Sequence, residues 1–150
     1  MGGLARHAAA LGAVSAVITA LAAVLALIVI PWQLAATDRI QRGQTAREIY
    51  REFLSLTVNK PELAVADWCA IRDTRDGAAY EAYVDYLLYT AEQALDTGPD
   101  WEAPMRDHLA DHLPFLCSRP DLTQFSDPLA ALLTGLRKGC KAVPTCPDPL

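Results

Sequence analysis

An uncharged run of 29 residues, from Ala8 to Ala36, constrains this chain of 150 residues more than any other feature. Of these residues 24 are hydrophobic, and the first 23, which end at Ile30, form the most apolar part. A helix of that length extends about 35 Å, which is enough to cross a hydrocarbon core about 30 Å thick. The run therefore predicts a helix that spans a membrane, with the lipid bilayer as its first partner.

A cleaved signal peptide is the alternative to a retained span. Its apolar region is normally about 7–15 residues long, and Leu34-Ala35-Ala36 is a poor match to a cleavage site. Pro31 and Trp32 suit the end of a span, because proline disturbs a helix and an indole ring prefers the membrane interface. We expect a retained transmembrane helix over residues 8–31, after a short tail of residues 1–7.

The 113 residues from Asp38 to Leu150 have the composition of a soluble domain, since 51 of them are hydrophobic. They carry all 18 acidic residues and 12 of the 13 basic ones, a net charge of −6. This acidic balance disfavours nucleic acid as a partner. The length leaves room for one small domain, and no glycine-rich phosphate loop or nucleophile-elbow motif is present.

The hydrophobic pattern of this part predicts amphipathic helices and no strands. The predicted helices are Asp38–Val58, a short one from Pro61 to Trp68, Ala78–Leu95, one from Asp100 to near Pro114, and Asp127–Gly139. The expected fold is all-α, with one N-terminal transmembrane helix followed by a small bundle of four or five amphipathic helices. A connector is expected over residues 32–47, the bundle over 48–139, and a tail containing Cys and Pro over 140–150.

Basic residues near the two ends of the span predict its orientation. Arg6 alone precedes the span, whereas Arg39, Arg42, Arg47 and Arg51 follow within about 20 residues. Since cytoplasmic flanks carry the excess of Lys and Arg, this count predicts a cytoplasmic C-terminal domain, with the bacterial inner membrane as the expected location. A periplasmic domain is the alternative, because the cysteines favour it.

The four cysteines, Cys69, Cys117, Cys140 and Cys146, contain no C-x-x-C pair. Zinc-ribbon, thioredoxin-like and attached-haem sites are therefore not indicated. An even number of cysteines in a small domain suits two disulfides outside the cytoplasm, whereas in the cytoplasm all four would be thiols. The expected pairs are Cys140 with Cys146 and Cys69 with Cys117, although spacing alone does not fix the connectivity.

The segment Asp107 to His112 carries the candidates for metal or acid/base chemistry. His108 and His112 are four residues apart, so on one helix they would face the same way, with Asp107 and Asp111 beside them. The motifs His-Glu-x-x-His and Glu-x-x-His are absent. We therefore expect partly buried histidines that are hydrogen-bonded to their neighbours, and we predict no metal or cofactor.

Four tyrosines recur at every third position from Tyr80 to Tyr89, so they cannot all face the core. Tyr80 belongs to the buried stripe and Tyr83 to its border, whereas Tyr86 and Tyr89 project toward the polar side. Exposed aromatic side chains of this kind can contact a protein partner. Isolated tyrosines on a polar surface are the alternative interpretation.

Small residues at four-residue spacing, Gly12, Ala16 and Ala20, lie within the predicted span. Small side chains on one face allow a second helix to approach closely, and this pattern makes the face a candidate surface for self-association. A chance spacing in an alanine-rich segment would give the same pattern.

Several segments resemble a group of uncharacterised bacterial proteins that have one transmembrane helix and a small helical domain. The likeness is carried by Glu48 to Leu56, Lys60 to Ala64, Tyr83 to Glu92 and His112 to Ser118. It covers roughly Arg47 to Leu136 and consists of core and turn patterns. The resemblance implies the architecture and transfers no catalytic residue.

The leading hypothesis is a non-enzymatic, single-pass membrane protein whose helical domain binds a protein or serves as an accessory subunit of a membrane complex. One alternative is a metal-dependent or acid/base enzyme that uses Asp107 to His112. A redox or envelope-stress sensor that uses the cysteines is the other.

Overall fold

The computed structural model describes residues 2–119, 124–144 and 146, with side chains from residue 18 onward. A long helix, α1 (Gly2–Asn59), is followed by shorter ones, and no strand occurs among the described residues. The shorter helices are α2 (Pro61–Ala64), α3 (Trp68–Ile71), α4 (Arg75–Leu95), α5 (Glu102–Ala110), α6 (Leu113–Ser118) and α7 (Asp127–Arg137). The predicted fold class is confirmed. The chain divides into two compact units, Met1–Gln41 and Arg42–Leu150.

The first unit contains the apolar part of α1. Among the described residues, one helix is long and apolar enough to cross a membrane, and none of its most apolar stretch is buried. Pro31 lies inside α1, and the predicted connector over residues 32–47 is helical. A proline removes one backbone hydrogen bond, and here the helix continues on both sides of it.

The core of the second unit forms around α4, which contacts α2, α3, α5 and α7. The apolar residues predicted for the segment Ala78–Leu95 form the buried face of α4. Phe53 of α1 adds a fully buried ring to the core. The remaining helices add apolar side chains from the other sides, including Trp68, Met105, Leu109, Phe115, Leu116, Leu129 and Leu133.

Two of the predicted helices are each divided in the structure. The predicted helix that begins at Pro61 is divided into α2 and α3, which are separated by residues 65–67. The predicted helix that begins at Asp100 is divided into α5 and α6, which are separated by Asp111 and His112. Pro114 explains the second division, because its ring would clash with the carbonyl of Ala110, four residues earlier, in a continuous helix. Helix α5 ends at Ala110, and Pro114 lies in the first turn of α6.

Side chains before α3 and α4 bind the free backbone N–H groups of the first turns. Asp67 accepts a hydrogen bond from the amide of Cys69 at 3.0 Å, and Thr74 accepts one from the amide of Asp76 at 3.2 Å. Gly77, in the first turn of α4, is buried against the end of α3. These contacts fix the α3–α4 corner that positions Cys69.

Candidate functional site

The tyrosine surface, formed by Tyr86 and Tyr89 of α4, is the exposed aromatic feature predicted from the sequence. Tyr89 is 49% exposed and its ring stacks on that of Tyr86, with 6.4 Å between the ring centroids. The hydroxyl of half-buried Tyr86 donates a hydrogen bond to Glu52 of α1 at 3.1 Å. Partial burial and the Glu52 carboxylate raise the pKa of the Tyr86 phenol. The surface therefore presents one fixed ring and one accessible ring.

The other two tyrosines of α4 are buried. Tyr80 is 1% exposed and Tyr83 is 3% exposed, so Tyr83 lies in the core rather than at its border. The hydroxyl of Thr57 donates to the carbonyl of Phe53, so it accepts a hydrogen bond from Tyr83 at 2.9 Å. Burial raises the pKa of both phenols, so both are uncharged at neutral pH.

The two candidate metal-binding histidines have separate tyrosine partners. His108, which is half-buried, shares a hydrogen bond between its Nε2 atom and the Tyr50 hydroxyl at 3.0 Å. His112, which is 3% exposed, shares one between its Nδ1 atom and the Tyr80 hydroxyl at 2.8 Å. The pKa of His112 is lowered to about 4, mainly because burial disfavours the charged imidazolium.

The geometry on which the metal hypothesis depended is absent from the structure. The spacing of His108 and His112 was expected to lie within one helix, but His112 follows the end of α5 and precedes α6. Asp107 and Asp111 are exposed. Among the described residues, no group of three or more His, Cys, Asp or Glu side chains is arranged to hold a metal ion.

The tyrosine partners of these histidines had no sequence signal. Tyr50 is 58 residues before His108, and Tyr80 is 32 residues before His112. The amphipathic pattern placed Tyr80 on a buried stripe, but it carried no information about which polar group its hydroxyl would meet.

All four cysteines form disulfide bonds, and the predicted pairing was wrong. Cys69 bonds to Cys146, and Cys117 bonds to Cys140. The prediction favoured Cys140 with Cys146 because they are close in sequence. Instead, the short 3₁₀ helix that follows α7 (Lys138–Ala142) packs against α6 and brings Cys140 to Cys117. The chain then continues to α3, where Cys146 meets Cys69.

A cavity of about 240 Å³ lies beside both disulfides. Both cysteines of the Cys117–Cys140 bond line it, together with Cys146 from the other bond. Arg72, at the end of α3, adds a positive charge to the lining, and its guanidinium forms an ion pair with Asp73 at 3.0 Å. This space, the disulfide cavity, was not predicted from the sequence, because its position follows from the observed cysteine pairing and the predicted pairing was different.

Of the three small residues proposed for helix pairing, one has a side chain that the structure describes. Ala20 is exposed on α1, whereas Gly12 and Ala16 lie among residues whose side chains are not described. Self-association through this face stays a prediction.

No protein-family model, curated protein or solved structure matches the chain. The function is therefore argued from the residues and their geometry.

Proposed function

We propose that this chain is a single-pass membrane protein whose helical domain binds a protein partner, as an interaction module or an accessory subunit of a membrane complex. The observation that carries the proposal is the half-exposed ring of Tyr89, held against Tyr86. The apolar part of α1 supports attachment to a membrane, by its length and composition.

The tyrosine surface has the chemistry of a protein-binding site. Aromatic rings supply a large apolar area at a low cost in conformational entropy, and tyrosine is enriched at protein interfaces. The hydrogen bond from Tyr86 to Glu52 restrains one ring in advance of binding. Binding would cover Tyr89 and leave its hydroxyl able to bond to the partner.

Site-specific photocrosslinking tests this proposal. A photoreactive phenylalanine analogue at position 89, in the full chain in its native membrane, should give one dominant crosslinked product that mass spectrometry identifies. The same analogue at position 65 is the matched control, because Val65 is 84% exposed and lies outside the tyrosine surface. Tyr86→Ser should reduce the product at position 89. Equal products at both positions, or none at position 89, would refute the proposed surface.

We propose further that residues 42–150 lie on the non-cytoplasmic side. Two disulfides support this orientation, because disulfides persist in oxidising compartments and are rare in the cytoplasm. They weigh against the cytoplasmic side predicted from the arginine count. A membrane-impermeant maleimide, added to intact cells after a membrane-impermeant reductant, should label the cysteines. Labelling only after the cells are permeabilised would place the domain inside.

A redox sensor is the second candidate function, favoured by the cavity beside both disulfides. A sensor must change its disulfide state within the cell. Acid trapping of thiols from cells under oxidising and reducing growth conditions should then give different proportions of reduced cysteine. A constant, fully oxidised state would limit the disulfides to a structural role.

A further inference from the structure

The two disulfides differ in how they face the disulfide cavity. Both cysteines of the Cys117–Cys140 bond line it, whereas the Cys69–Cys146 bond contributes Cys146 alone. All four cysteines are partly exposed. Both residues of the Cys117–Cys140 bond therefore border the open space of the cavity, whereas Cys69 does not line it.

We propose that this cavity is a thiol–disulfide exchange site, where a dithiol reduces Cys117–Cys140 before Cys69–Cys146. The inference deepens the second candidate function and is independent of partner binding at Tyr89. A disulfide is cleaved by attack of a thiolate on one of its sulfur atoms, so the order of reduction follows access to the sulfurs.

The exchange proceeds in two balanced steps. One thiolate of the dithiol attacks a sulfur of Cys117–Cys140, a mixed disulfide forms, and the other cysteine leaves as a thiolate. The second sulfur of the dithiol then attacks the mixed disulfide and releases the remaining cysteine. The dithiol loses two electrons and becomes a disulfide, the protein gains them, and the two protons of the dithiol pass through water to the two cysteine thiolates.

Arg72 gives the cavity an electrostatic preference for this chemistry. Arg72 is one of the lining residues and its side chain is 23% exposed, although the ion pair with Asp73 offsets part of its charge. A cation near a cysteine lowers the pKa of the thiol and favours the thiolate that attacks or leaves. The charge of the guanidinium should therefore accelerate exchange, and this effect does not require a direct contact with the dithiol.

The order of reduction has a structural consequence. Cys117–Cys140 ties α6 to the 3₁₀ helix after α7, whereas Cys69–Cys146 ties the following residues to α3. Loss of the first bond alone would loosen the segment between α7 and Cys146, and the second bond would still hold its end. The first reduced state is thus a domain with one opened contact and an intact core.

Differential alkylation of the oxidised full chain in detergent tests the order. After brief treatment with dithiothreitol, N-ethylmaleimide should mark Cys117 and Cys140 several-fold ahead of Cys69 and Cys146, as measured by mass spectrometry of the peptides. A low, non-denaturing urea concentration should leave the rate unchanged, because access does not require global unfolding. Earlier reduction of Cys69–Cys146, simultaneous release of all four thiols, or a rate that rises with urea would each overturn the proposal.

Arg72→Gln tests the charge, with Arg75→Gln as the matched control because Arg75 is exposed and does not line the cavity. Arg72→Gln should slow reduction of Cys117–Cys140 about threefold, because loss of the positive charge disfavours the leaving thiolate. An unchanged rate, or equal slowing in both variants, would overturn the role of Arg72. These assays use no cells, so their failure is distinguishable from a failure of the sensor function, which is read from thiol trapping in vivo.

Discussion

The imidazole of His112 is neutral in the folded domain at neutral pH because its side chain is buried. Burial lowers its pKa from 6.5 to about 4, His108 adds to the decrease, and the charge of Asp111 opposes it. In the unfolded chain the same group takes up a proton near its ordinary pKa. Between these two pKa values the unfolded chain binds more protons than the folded one, so stability falls as the pH falls.

We predict that His112 lowers the free energy of unfolding by up to about 1.4 kcal/mol per pH unit as the pH falls from about 6.5 to about 4. His112→Asn removes the titrating group, so it should flatten this part of the profile. It should also cost about 1–3 kcal/mol at neutral pH, because the core loses a ring. Urea unfolding of the full chain in detergent, followed by circular dichroism at several pH values, measures both effects.

His108→Asn is the matched control for this titration, since His108 is half-buried and its substitution leaves the His112 imidazole in place. That variant should keep most of the pH dependence assigned to His112, because burial is the main cause of its lowered pKa and His108 adds only a smaller decrease. If the profiles of His112→Asn and the unmodified protein run parallel between the two pKa values, the assignment is wrong.

Burial of His112 could be anticipated in part, because the sequence predicted partly buried histidines in this segment. Its hydrogen bond to Tyr80 could not, because that contact depends on how the α5–α6 junction packs against α4. Hydrophobic periodicity identifies the side of a helix that is buried. It does not identify the partner of a polar atom on that side.

At the scale of elements, the α3–α4 corner depends on the missing side chain of Gly77. A Cβ atom there would lie 2.5 Å from the carbonyl oxygen of Ile71 and 2.7 Å from that of Arg72. Both atoms belong to the backbone, so neither can move aside by a change of rotamer. Gly135 is the opposite case, because a Cβ atom on this residue of α7 would meet nothing within 4 Å.

We predict that Gly77→Ala lowers the free energy of unfolding by about 1–3 kcal/mol, because the backbone clash exceeds the gain in helix propensity. Gly135→Ala should raise it by about 0.5–1 kcal/mol, since the propensity gain is unopposed. Thermal or urea unfolding of both variants provides the measurement. Stabilisation by both substitutions would show that α3 and α4 can separate without cost.

Helices with a long apolar stripe were predictable, and short ones were not. The predicted starts and ends of the helices now seen as α4 and α7 lie within three residues of those in the structure. The start of a short helix at Pro61 was predicted correctly, whereas the divisions at residues 65–67 and at Asp111 and His112 were not. A four-residue helix such as α2 or α3 contains too few residues to show a period. At the division between α5 and α6, the geometry of Pro114 decides where the helix ends.

At the scale of the whole molecule, the cysteine pairing shows where sequence reasoning reaches its limit. Proximity in sequence favoured Cys140 with Cys146, because short loops close at a small entropic cost. The observed pairs span 77 and 23 residues instead. They follow from the packing of the chain after α7 on α6 and α3, and this packing is a property of the assembled bundle.

We predict unequal losses of stability when the two disulfides are removed separately. Chain entropy gives about 3 kcal/mol for Cys117→Ser with Cys140→Ser and about 1 kcal/mol more for Cys69→Ser with Cys146→Ser, whose loop is longer. Urea unfolding of the two double variants, compared under oxidising conditions, tests the order. A larger loss for the Cys117–Cys140 pair would mean that native contacts, rather than loop length, determine the stabilisation.

The two covalent loops are nested, since residues 117–140 lie inside the loop closed by Cys69 and Cys146. A protease that cuts once anywhere between these outer cysteines therefore leaves both pieces joined. A cut in the exposed stretch around Lys60 and Val65, by contrast, lies outside both loops and severs the covalent link to the apolar helix. Proteolytic release of this domain therefore requires a cut before Cys69, and the exposed stretch directly after α1 offers a place for it.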